Sequence, residues 1–305
     1  MIIVDSIDKG ILYALRKNCR ASYEDLARDH GISANAIKRR VARLQKSGVI
    51  HRYIVRLSWK MVDAHPLVIF VYSSRSYDDE EFMEQLGAHP LVGSVQFDSY
   101  GSAVVRASYR EGNDIFKLSE YLRALEGVNE IEIHPIPVNR GERTTFSKPQ
   151  LRVLTQLAKD ARMLISRIAA KSRLTAKRVR SILQKFHEGR SVLFTIDIDP
   201  TSGANNLITF RINYQPKIIN PEEILKPLKE EFSTEFWTEW HSASQNLMWI
   251  DFVLDNVRDA EPIAKRIRMI SGVEIENTIA PYPIRWFTGY REAQLAKILH
   301  EADIR

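Results

Sequence analysis

The chain has 305 residues, 44% hydrophobic and 27% charged, which is the composition of a folded protein long enough for two or more domains. Its single cysteine, Cys19, excludes an internal disulfide and a cysteine-cluster metal site. No run of about 18 apolar residues predicts a membrane span, and the N-terminal residues MIIVDSIDKG lack the features of a secretion signal. The sequence therefore predicts a cytoplasmic protein without a membrane partner.

The net charge of +6 hides an alternation along the chain. Residues 1–60 carry a net charge of +8, residues 61–140 carry −7, residues 141–200 carry +8 and residues 201–305 carry −3. Such an alternation predicts that two short basic modules meet a polyanion, while two acidic modules serve another purpose.

An internal repeat accounts for this alternation. LRKNCR at 15–20 aligns with LAKDAR at 157–162, and HPIPV at 134–138 resembles APYPI at 280–284. We interpret the chain as two divergent copies of a unit of roughly 140 residues, each a basic module followed by an acidic one.

The first basic segment has the pattern of a winged helix-turn-helix. Apolar residues at helical spacing predict a first helix over residues 7–15. Ser22 is an N-cap candidate for a second helix, which Gly31 ends in a left-handed conformation. Ser33 caps a third helix, and the alternating residues 51–59 predict a strand. Three short helices followed by a strand are typical of this DNA-binding fold.

The third helix is strongly basic on the face away from its apolar stripe. Its cations lack acidic residues four positions away, so they are not neutralised within the helix. A solvated helix face is the alternative, but the recurrence of the motif favours insertion into a DNA groove. The residues predicted to bind duplex DNA in this copy are Ser33, Asn35, Lys38, Arg39, Arg40, Arg43, Lys46 and Arg52.

The second basic segment repeats the motif with changes. It has Arg190-Ser191-Val192 where the first copy has Gly48-Val49-Ile50. Base reading, backbone contact and dimerisation therefore all remain open for this copy. The residues predicted to contact DNA are Thr175, Lys177, Arg178, Arg180 and Lys185.

Each acidic segment has the strand and helix order βαββαβ, which predicts a ferredoxin-like sheet with helices on one face. The other face needs a cover, either from the second copy or from another chain. The predicted fold class is α+β, a tandem repeat of winged helix-turn-helix and ferredoxin-like domains. The predicted domains are a winged helix at 1–60, a ferredoxin-like domain at 61–140, a second winged helix at 141–200, a second ferredoxin-like domain at 201–285 and a C-terminal helix at 286–305.

The first unit resembles the leucine-responsive regulatory protein/AsnC (Lrp/AsnC) family of transcription regulators. The resemblance is carried by IDKGILYALRKNCRASYEDLA at 7–27 and ISANAIKRRVARLQKSGVIHRY at 32–53. It implies gene regulation of the bacterial or archaeal type through homodimers or higher homo-oligomers on double-stranded DNA, tuned by small-molecule effectors. Members of that family usually carry one unit per chain, so the tandem predicts an internal pseudo-dimer.

The resemblance places an effector site in the loop between the second and third strands of the acidic module. In the first copy this loop supplies Asp98, Tyr100, Gly101 and Ser102. Neither copy has the Gly-x-Tyr-Asp pattern typical of the family, so amino-acid sensing in the usual mode is not predicted.

An enzyme is the main alternative, because siroheme decarboxylases are similar in architecture and use His and Arg around a tetrapyrrole. The eight histidines here form no recognisable motif, and no Gly-rich phosphate loop, nucleophile elbow or metal-ligand spacing is present. The sequence therefore predicts no catalytic residue, no metal, no cofactor and no enzyme. A protein-interaction scaffold is a third interpretation.

Overall fold

The structure is a computed structural model that describes residues 3–76, 78–203 and 206–304. The two copies follow one another with the same element order. The first copy contains α1 (Ser6–Lys17), α2 (Tyr23–His30), α3 (Ala34–Lys46), β1 (Ile50–Leu57), β2 (His65–Ser73), α4 (Glu80–Gly87), β3 (Val92–Phe97), β4 (Ser102–Tyr109), α5 (Gly112–Arg123) and β5 (Val128–Pro135).

The second copy repeats these elements and adds a C-terminal strand and helix. It contains α6 (Lys148–Leu157), α7 (Ile165–Ser172), α8 (Ala176–Glu188), β6 (Val192–Ile198), β7 (Asn206–Tyr214), α9 (Pro221–Glu231), β8 (Phe236–His241), β9 (Leu247–Leu254), α10 (Ala260–Arg268), β10 (Val273–Ile279), β11 (Arg285–Trp286) and α11 (Tyr290–Ile304). The predicted fold class, a tandem α+β repeat, is confirmed.

The two winged helices form one compact unit and the two ferredoxin-like domains form another, so each module packs with its counterpart in the other copy rather than with the module next to it in sequence. One group, called here the winged-helix unit, contains residues 10–64, 139–198 and 288–304. The other, called the ferredoxin unit, contains the described residues among 3–9, 65–138 and 199–287. Within the described ranges no helix is both long and apolar enough to cross a bilayer.

Short polar residues begin the two helices that carry the most basic surface. The Ser33 side chain accepts a hydrogen bond from the Ala36 amide, and the Thr175 side chain accepts one from the Arg178 amide. Such caps satisfy an amide that has no partner inside the helix. The preceding turn is left-handed in both copies, with Gly31 at φ 65° in the first and Arg173 at φ 53° in the second.

The two winged helices join through an antiparallel strand pair. β1 pairs with β6, and Ile54 is opposite Thr195 at the middle of the register. The flanking pairs Val55↔Phe194 and Tyr53↔Ile196 are arranged around this point. Because β1 and β6 are corresponding strands of the two copies, the pairing is that of an internal pseudo-dimer with an approximate two-fold axis near Ile54.

Two arginines at the same position of the repeat exchange hydrogen bonds across this axis. Arg20 donates to the carbonyl oxygens of Ala161 and Met163, at 2.6 and 3.1 Å. Arg162 donates to the carbonyl oxygens of Cys19 and Ala21, the second at 3.1 Å. Each guanidinium thus satisfies the loop carbonyls of the other module, as in an isologous dimer interface.

The C-terminal helix belongs to the winged-helix unit. α11 packs on β1 and α6, and Arg291 at its first turn donates from Nε to the Leu57 carbonyl oxygen at 2.9 Å. The Arg291 guanidinium also lies 4.1 Å from the ring centroid of Trp59. The C-terminal helix predicted at 286–305 thus begins at Tyr290 in the structure, and its first turn contacts the end of β1.

The ferredoxin unit contains two antiparallel sheets. The first sheet has the strand order β11-β3-β4-β2-β5, and the second has the order β10-β7-β9-β8. The sequence did not predict β11, which pairs with the edge strand β3 through Arg285↔Val95 and Trp286↔Ser94. This short strand comes from the second copy, crosses the predicted domain limit at residue 285 and covers an edge of the first copy's sheet.

The faces of the two sheets opposite their helices pack on each other. Trp240 and Trp249 of the second sheet stack at 4.0 Å between ring centroids, and Phe70 of the first sheet stacks on Trp249 at 5.4 Å. The expected sheet cover is thus supplied within the chain. Exposed sheet faces are therefore no reason to expect association between chains, and homo-oligomerisation stays a prediction based on the resemblance.

The exchanged arginines generate a prediction for the winged-helix unit. Replacing Arg162 by Met should lower the free energy of unfolding by about 2–4 kcal/mol, because two carbonyl groups lose charge-assisted donors. Urea unfolding followed by far-ultraviolet circular dichroism measures this loss. Arg167→Met is the matched control, since Arg167 is exposed on α7. Equal stability of the two variants would contradict the role given to Arg162.

Candidate nucleic-acid interface

The third helix of the first copy presents its predicted DNA-binding side chains to solvent. Apolar residues Ile37, Val41 and Leu44 are fully buried beneath it. Arg40 is half-buried, Ser33 is the N-cap, and the exposed residues are Asn35, Lys38, Arg39, Arg43 and Lys46. The amphipathic pattern therefore separates the core face from the cationic face as the sequence predicted.

The corresponding helix of the second copy, α8, is arranged in the same way. Val179, Ile182 and Phe186 are buried, and Thr175 is the N-cap. The cations Lys177, Arg178, Arg180 and Lys185 are exposed. Both helices have 13 residues and begin at equivalent caps, so their positions correspond one to one.

Most of these cations are not neutralised by the fold. Among the residues that the structure describes, no carboxylate lies within 4.0 Å of the charged groups of Lys38, Arg39, Lys46, Lys177, Arg178, Arg180 and Lys185. Unpaired, solvated cations on a helix are available to phosphate oxygens, and their binding to DNA releases condensed counterions.

A cationic groove of about 950 Å³ lies between the two modules of the winged-helix unit. Gln45 of α3 and Arg180 of α8 both line it. Its charged lining residues are Arg20, Arg52, Lys159, Asp160, Arg162 and Arg180. The positive surface therefore continues from one basic helix to the other.

Arg52 differs from the other residues predicted to bind DNA. Its Nε donates to Asp197 at 2.8 Å, and its Nη2 donates to Glu292 at 2.7 Å. Arg56 also donates to Asp197, at 2.6 Å. Asp197 is buried at 1% exposure, so the two arginines neutralise a carboxylate inside the strand pair. Arg52 is held on β1 by these ion pairs, so its charge is neutralised within the fold.

The loop where the resemblance places an effector site is closed on itself. Asp98 is buried, and its carboxylate accepts hydrogen bonds from the backbone amides of Tyr100 and Ser102 at 2.9 and 3.1 Å. The Ser102 hydroxyl donates to the same carboxylate. Gly101 has φ 78° at the tip, and the Tyr100 side chain is 61% exposed. The loop thus uses the Asp98 carboxylate to hold its own turn.

A charged cluster that the sequence did not reveal lies between the two sheets of the ferredoxin unit. Arg211 on β7 makes a bidentate pair with Glu132 on β5, at 2.7 and 2.8 Å, and its Nε donates to Glu276 at 2.7 Å. His134 on β5 lies 3.2 Å from Glu132 through Nε2 and 3.0 Å from the Ser242 hydroxyl through Nδ1. Burial alone would raise the pKa of Glu132, but hydrogen bonds from His134 and Arg211 lower it to about 2.

The sequence analysis predicted neither the exchange between Arg20 and Arg162 nor the pair of Arg211 and Glu132, but the repeat contained a signal for the first. The alignment of residues 15–20 with 157–162 pairs Arg20 with Arg162, and equivalent residues of a pseudo-dimer are expected to make reciprocal contacts. No such signal exists for Arg211 and Glu132, because they occupy non-equivalent strands of the two copies and meet only when the sheets pack.

Comparison with known proteins identifies the class of the N-terminal module. Residues 4–45 match the model of the AsnC-type helix-turn-helix domain. These residues are therefore similar to an AsnC-type helix-turn-helix domain, consistent with the geometry of α2 and α3.

Relatives extend this likeness beyond the helix-turn-helix. The HTH-type transcriptional regulator LrpA of Pyrococcus horikoshii is 26% identical over 131 residues, which are 42% of this chain and 93% of the regulator. The regulatory protein AsnC of Escherichia coli K12 is 40% identical over 48 residues, which are 16% of this chain and 32% of AsnC. One copy of the repeat is thus similar in length to a whole regulator of this type.

A solved structure matches the whole chain. The siroheme decarboxylase NirDL superposes with a TM-score of 0.57 at 11% identity, over 99% of this chain and 100% of NirDL. At this identity the likeness shows the fold alone, which is a paired arrangement of winged-helix and ferredoxin-like modules.

The buried cluster generates a prediction for pH dependence. The folded-state pKa of Glu132 is depressed below its ordinary value of 4.5. Glu132 therefore stabilises the fold above about pH 4.5, and this contribution is lost as the pH falls towards about 2. Glu132→Gln should make unfolding free energy less dependent on pH in this window, as measured by urea unfolding at several pH values. Glu130→Gln, at an exposed position near the start of β5, should keep the wild-type dependence; equal slopes for all three proteins would contradict the assignment.

Proposed function

We propose that the chain is a sequence-specific, DNA-binding transcription regulator of the Lrp/AsnC type that carries two units in one polypeptide. The observation that carries the proposal is the pair of capped helices, α3 and α8. Among the described residues, no carboxylate lies within 4.0 Å of the charged groups of seven exposed cations on these helices, which are Lys38, Arg39, Lys46, Lys177, Arg178, Arg180 and Lys185. The five predicted segments, 1–60, 61–140, 141–200, 201–285 and 286–305, serve as its domains. The chain acts on DNA without catalysis and without a cofactor.

The roles proposed for individual residues follow from position and chemistry. Residues near the N-terminus of a recognition helix contact base edges, and Asn35 and Arg39 of α3 are the candidates in the first copy. Lys38, Arg40, Arg43 and Lys46 bind phosphates. In the second copy Lys177 contacts bases, while Arg178, Arg180 and Lys185 bind phosphates.

The internal pseudo-dimer supports this function. Regulators with a helix-turn-helix usually bind as dimers, because two helices that enter successive major grooves add their contacts. Here the strand pair β1–β6 and the exchange between Arg20 and Arg162 hold both modules in a single chain. Further association into homo-oligomers and control by a small-molecule effector near Asp98, Tyr100, Gly101 and Ser102 remain proposals.

A siroheme or heme decarboxylase is the second candidate, favoured by the fold shared with NirDL. The place in the ferredoxin unit where a buried His and Arg meet does not fit a tetrapyrrole. Arg211 and His134 are engaged with Glu132, and the cavity beside Trp240 and Trp249, which neither of them lines, measures only about 30 Å³, whereas pockets for small molecules and cofactors occupy about 300–1,000 Å³. Stacked aromatic rings fill the space, and no step through a tetrapyrrole is assigned.

The proposed regulator makes a testable prediction about charge. The double variant Lys38→Glu/Arg39→Glu should bind duplex DNA about 100-fold more weakly than wild type, because two phosphate or base contacts become repulsive. Its plot of log affinity against log salt concentration should be shallower by about 2. Fluorescence anisotropy with a labelled duplex at several salt concentrations measures both quantities.

The control exchanges the same charges elsewhere. Lys117→Glu/Arg123→Glu changes two exposed cations on α5 of the ferredoxin unit, so it alters net charge equally. It should retain nearly wild-type affinity. If both double variants lose affinity alike, or if wild type ignores duplex DNA at low salt, the assignment of α3 as the binding helix is wrong.

Visible absorbance distinguishes a tetrapyrrole-binding decarboxylase from a regulator. Titrating the full chain with hemin or siroheme should leave the absorbance spectrum of the tetrapyrrole unchanged if the protein is a regulator. A saturable shift of the Soret band at one equivalent would instead support the decarboxylase, since tight binding in a defined pocket changes the environment and ligation of the iron.

A further inference from the structure

The two recognition helices of this chain differ in the side chains that they expose, although their backbones are equivalent. Each has 13 residues, and their N-caps Ser33 and Thr175 have almost the same backbone angles, φ −72° and ψ 151° against φ −75° and ψ 150°. The core positions also agree in kind, since Ile37 corresponds to Val179. A residue on α3 can therefore be compared with the residue 142 positions later.

Two of the exposed positions keep their charge in both helices. Lys38 corresponds to Arg180, and Arg43 corresponds to Lys185. All four side chains are exposed. A cation that is present in both copies serves the phosphate backbone, which is the same on any DNA sequence.

The five remaining exposed positions of α3 all differ in chemistry, and one of them is Gln45, which is replaced by His187. At the other four, Asn35 is replaced by Lys177, Arg39 by Ser181, Ala42 by Gln184 and Lys46 by Glu188. Seven of these eight side chains are exposed and Ser181 is half-buried. Asn pairs with adenine, Lys and Arg with guanine, Ala with the thymine methyl group, Gln with adenine, and Glu accepts from cytosine. The two helices thus prefer different base edges.

The internal two-fold arrangement turns this difference into a property of the binding site. A homodimer presents two identical helices and reads a palindrome. Here the two helices belong to one chain, and the pairing of β1 with β6 and the exchange between Arg20 and Arg162 fix one copy of each beside the other.

We infer that a single chain recognises an asymmetric operator, made of two inverted half-sites of different base sequence. α3 reads one half-site and α8 reads the other, with Asn35, Arg39 and Ala42 setting the first sequence and Lys177, Ser181 and Gln184 setting the second. This inference rests on the proposed DNA-binding function and adds the class of duplex that the protein selects. The half-site centres lie about 10 bp apart or at a multiple of that distance.

Selection from a random duplex pool tests the inference with the full-length chain. The enriched sequences supply a left half-site L and a right half-site R, from which three duplexes of equal length are made: LR, LL and RR. Wild type should bind LR at least about tenfold more tightly than LL or RR, since each lost bidentate base contact reduces affinity by about 5- to 150-fold.

Single substitutions assign each half-site to its helix. Asn35→Ala should relax base discrimination in one half-site only, and Gln184→Ala should relax it in the other half-site only. Lys117→Glu, on α5 of the ferredoxin unit, should leave discrimination in both half-sites unchanged. Loss of discrimination in the same half-site for both Ala variants would overturn the inference.

A helix exchange provides the positive test. The variant Lys177→Asn/Ser181→Arg/Gln184→Ala/Glu188→Lys gives α8 the side chains of α3 at these four positions while leaving Val179, Ile182 and Phe186 in place. It should prefer the duplex made of two copies of the half-site that Asn35 reads, by about tenfold over LR. Circular dichroism and thermal melting verify that the variant is folded.

The outcomes separate this inference from the function on which it rests. Enrichment of a palindrome, or equal affinity of wild type for LR and LL, would contradict the inference of an asymmetric operator while remaining compatible with the proposed regulator function. Failure of wild type to enrich any duplex would instead remove the regulator assignment. Retained preference of the exchanged variant for LR would also count against the asymmetric operator.

Discussion

The reciprocal hydrogen bonds of Arg20 and Arg162 are the interaction on which the functional surface depends. Each guanidinium satisfies two carbonyl groups of the opposite loop, so neither module of the winged-helix unit is complete without the other. The strand pair β1–β6 acts on the same interface. Because this contact is approximately symmetric, α3 and α8 become equivalent in position while remaining free to differ in the side chains that face solvent.

When two copies lie in one chain, a substitution in one copy is not repeated in the other, so a symmetric fold can become asymmetric. In a homodimer every substitution appears twice, whereas here each copy changes alone. The consequences are visible in both units. β11 of the second copy covers the edge of the first sheet, and Arg211 of the second copy meets Glu132 of the first. The same freedom allows Lys177 to stand at the position that corresponds to Asn35, and Gln184 at the position that corresponds to Ala42. The contact between the two winged helices thus remains approximately symmetric, whereas the exposed side chains of α3 and α8 differ.

The likeness to NirDL and the likeness to LrpA concern different levels of the molecule. The first extends over the whole chain and reports a shared architecture at 11% identity. The second concerns one copy and accompanies the match of residues 4–45 to an AsnC-type helix-turn-helix. Function resides in sites rather than in folds. Here the proposal of DNA binding rests on the cations of α3 and α8 that have no carboxylate nearby, whereas Arg211 and His134 of the cluster around Glu132 pack against Trp249 between the sheets.

The sequence by itself determined the element order, because apolar periodicity, the caps Ser33 and Thr175 and the turn at Gly31 act locally. It also located the cationic faces of α3 and α8, since a helix's exposed side follows from its buried stripe. Only the tertiary structure decided that Arg52 is held by Asp197 and Glu292 and that β11 joins β3. These contacts join residues far apart in the chain, so their partners depend on how modules pack, which no local pattern encodes.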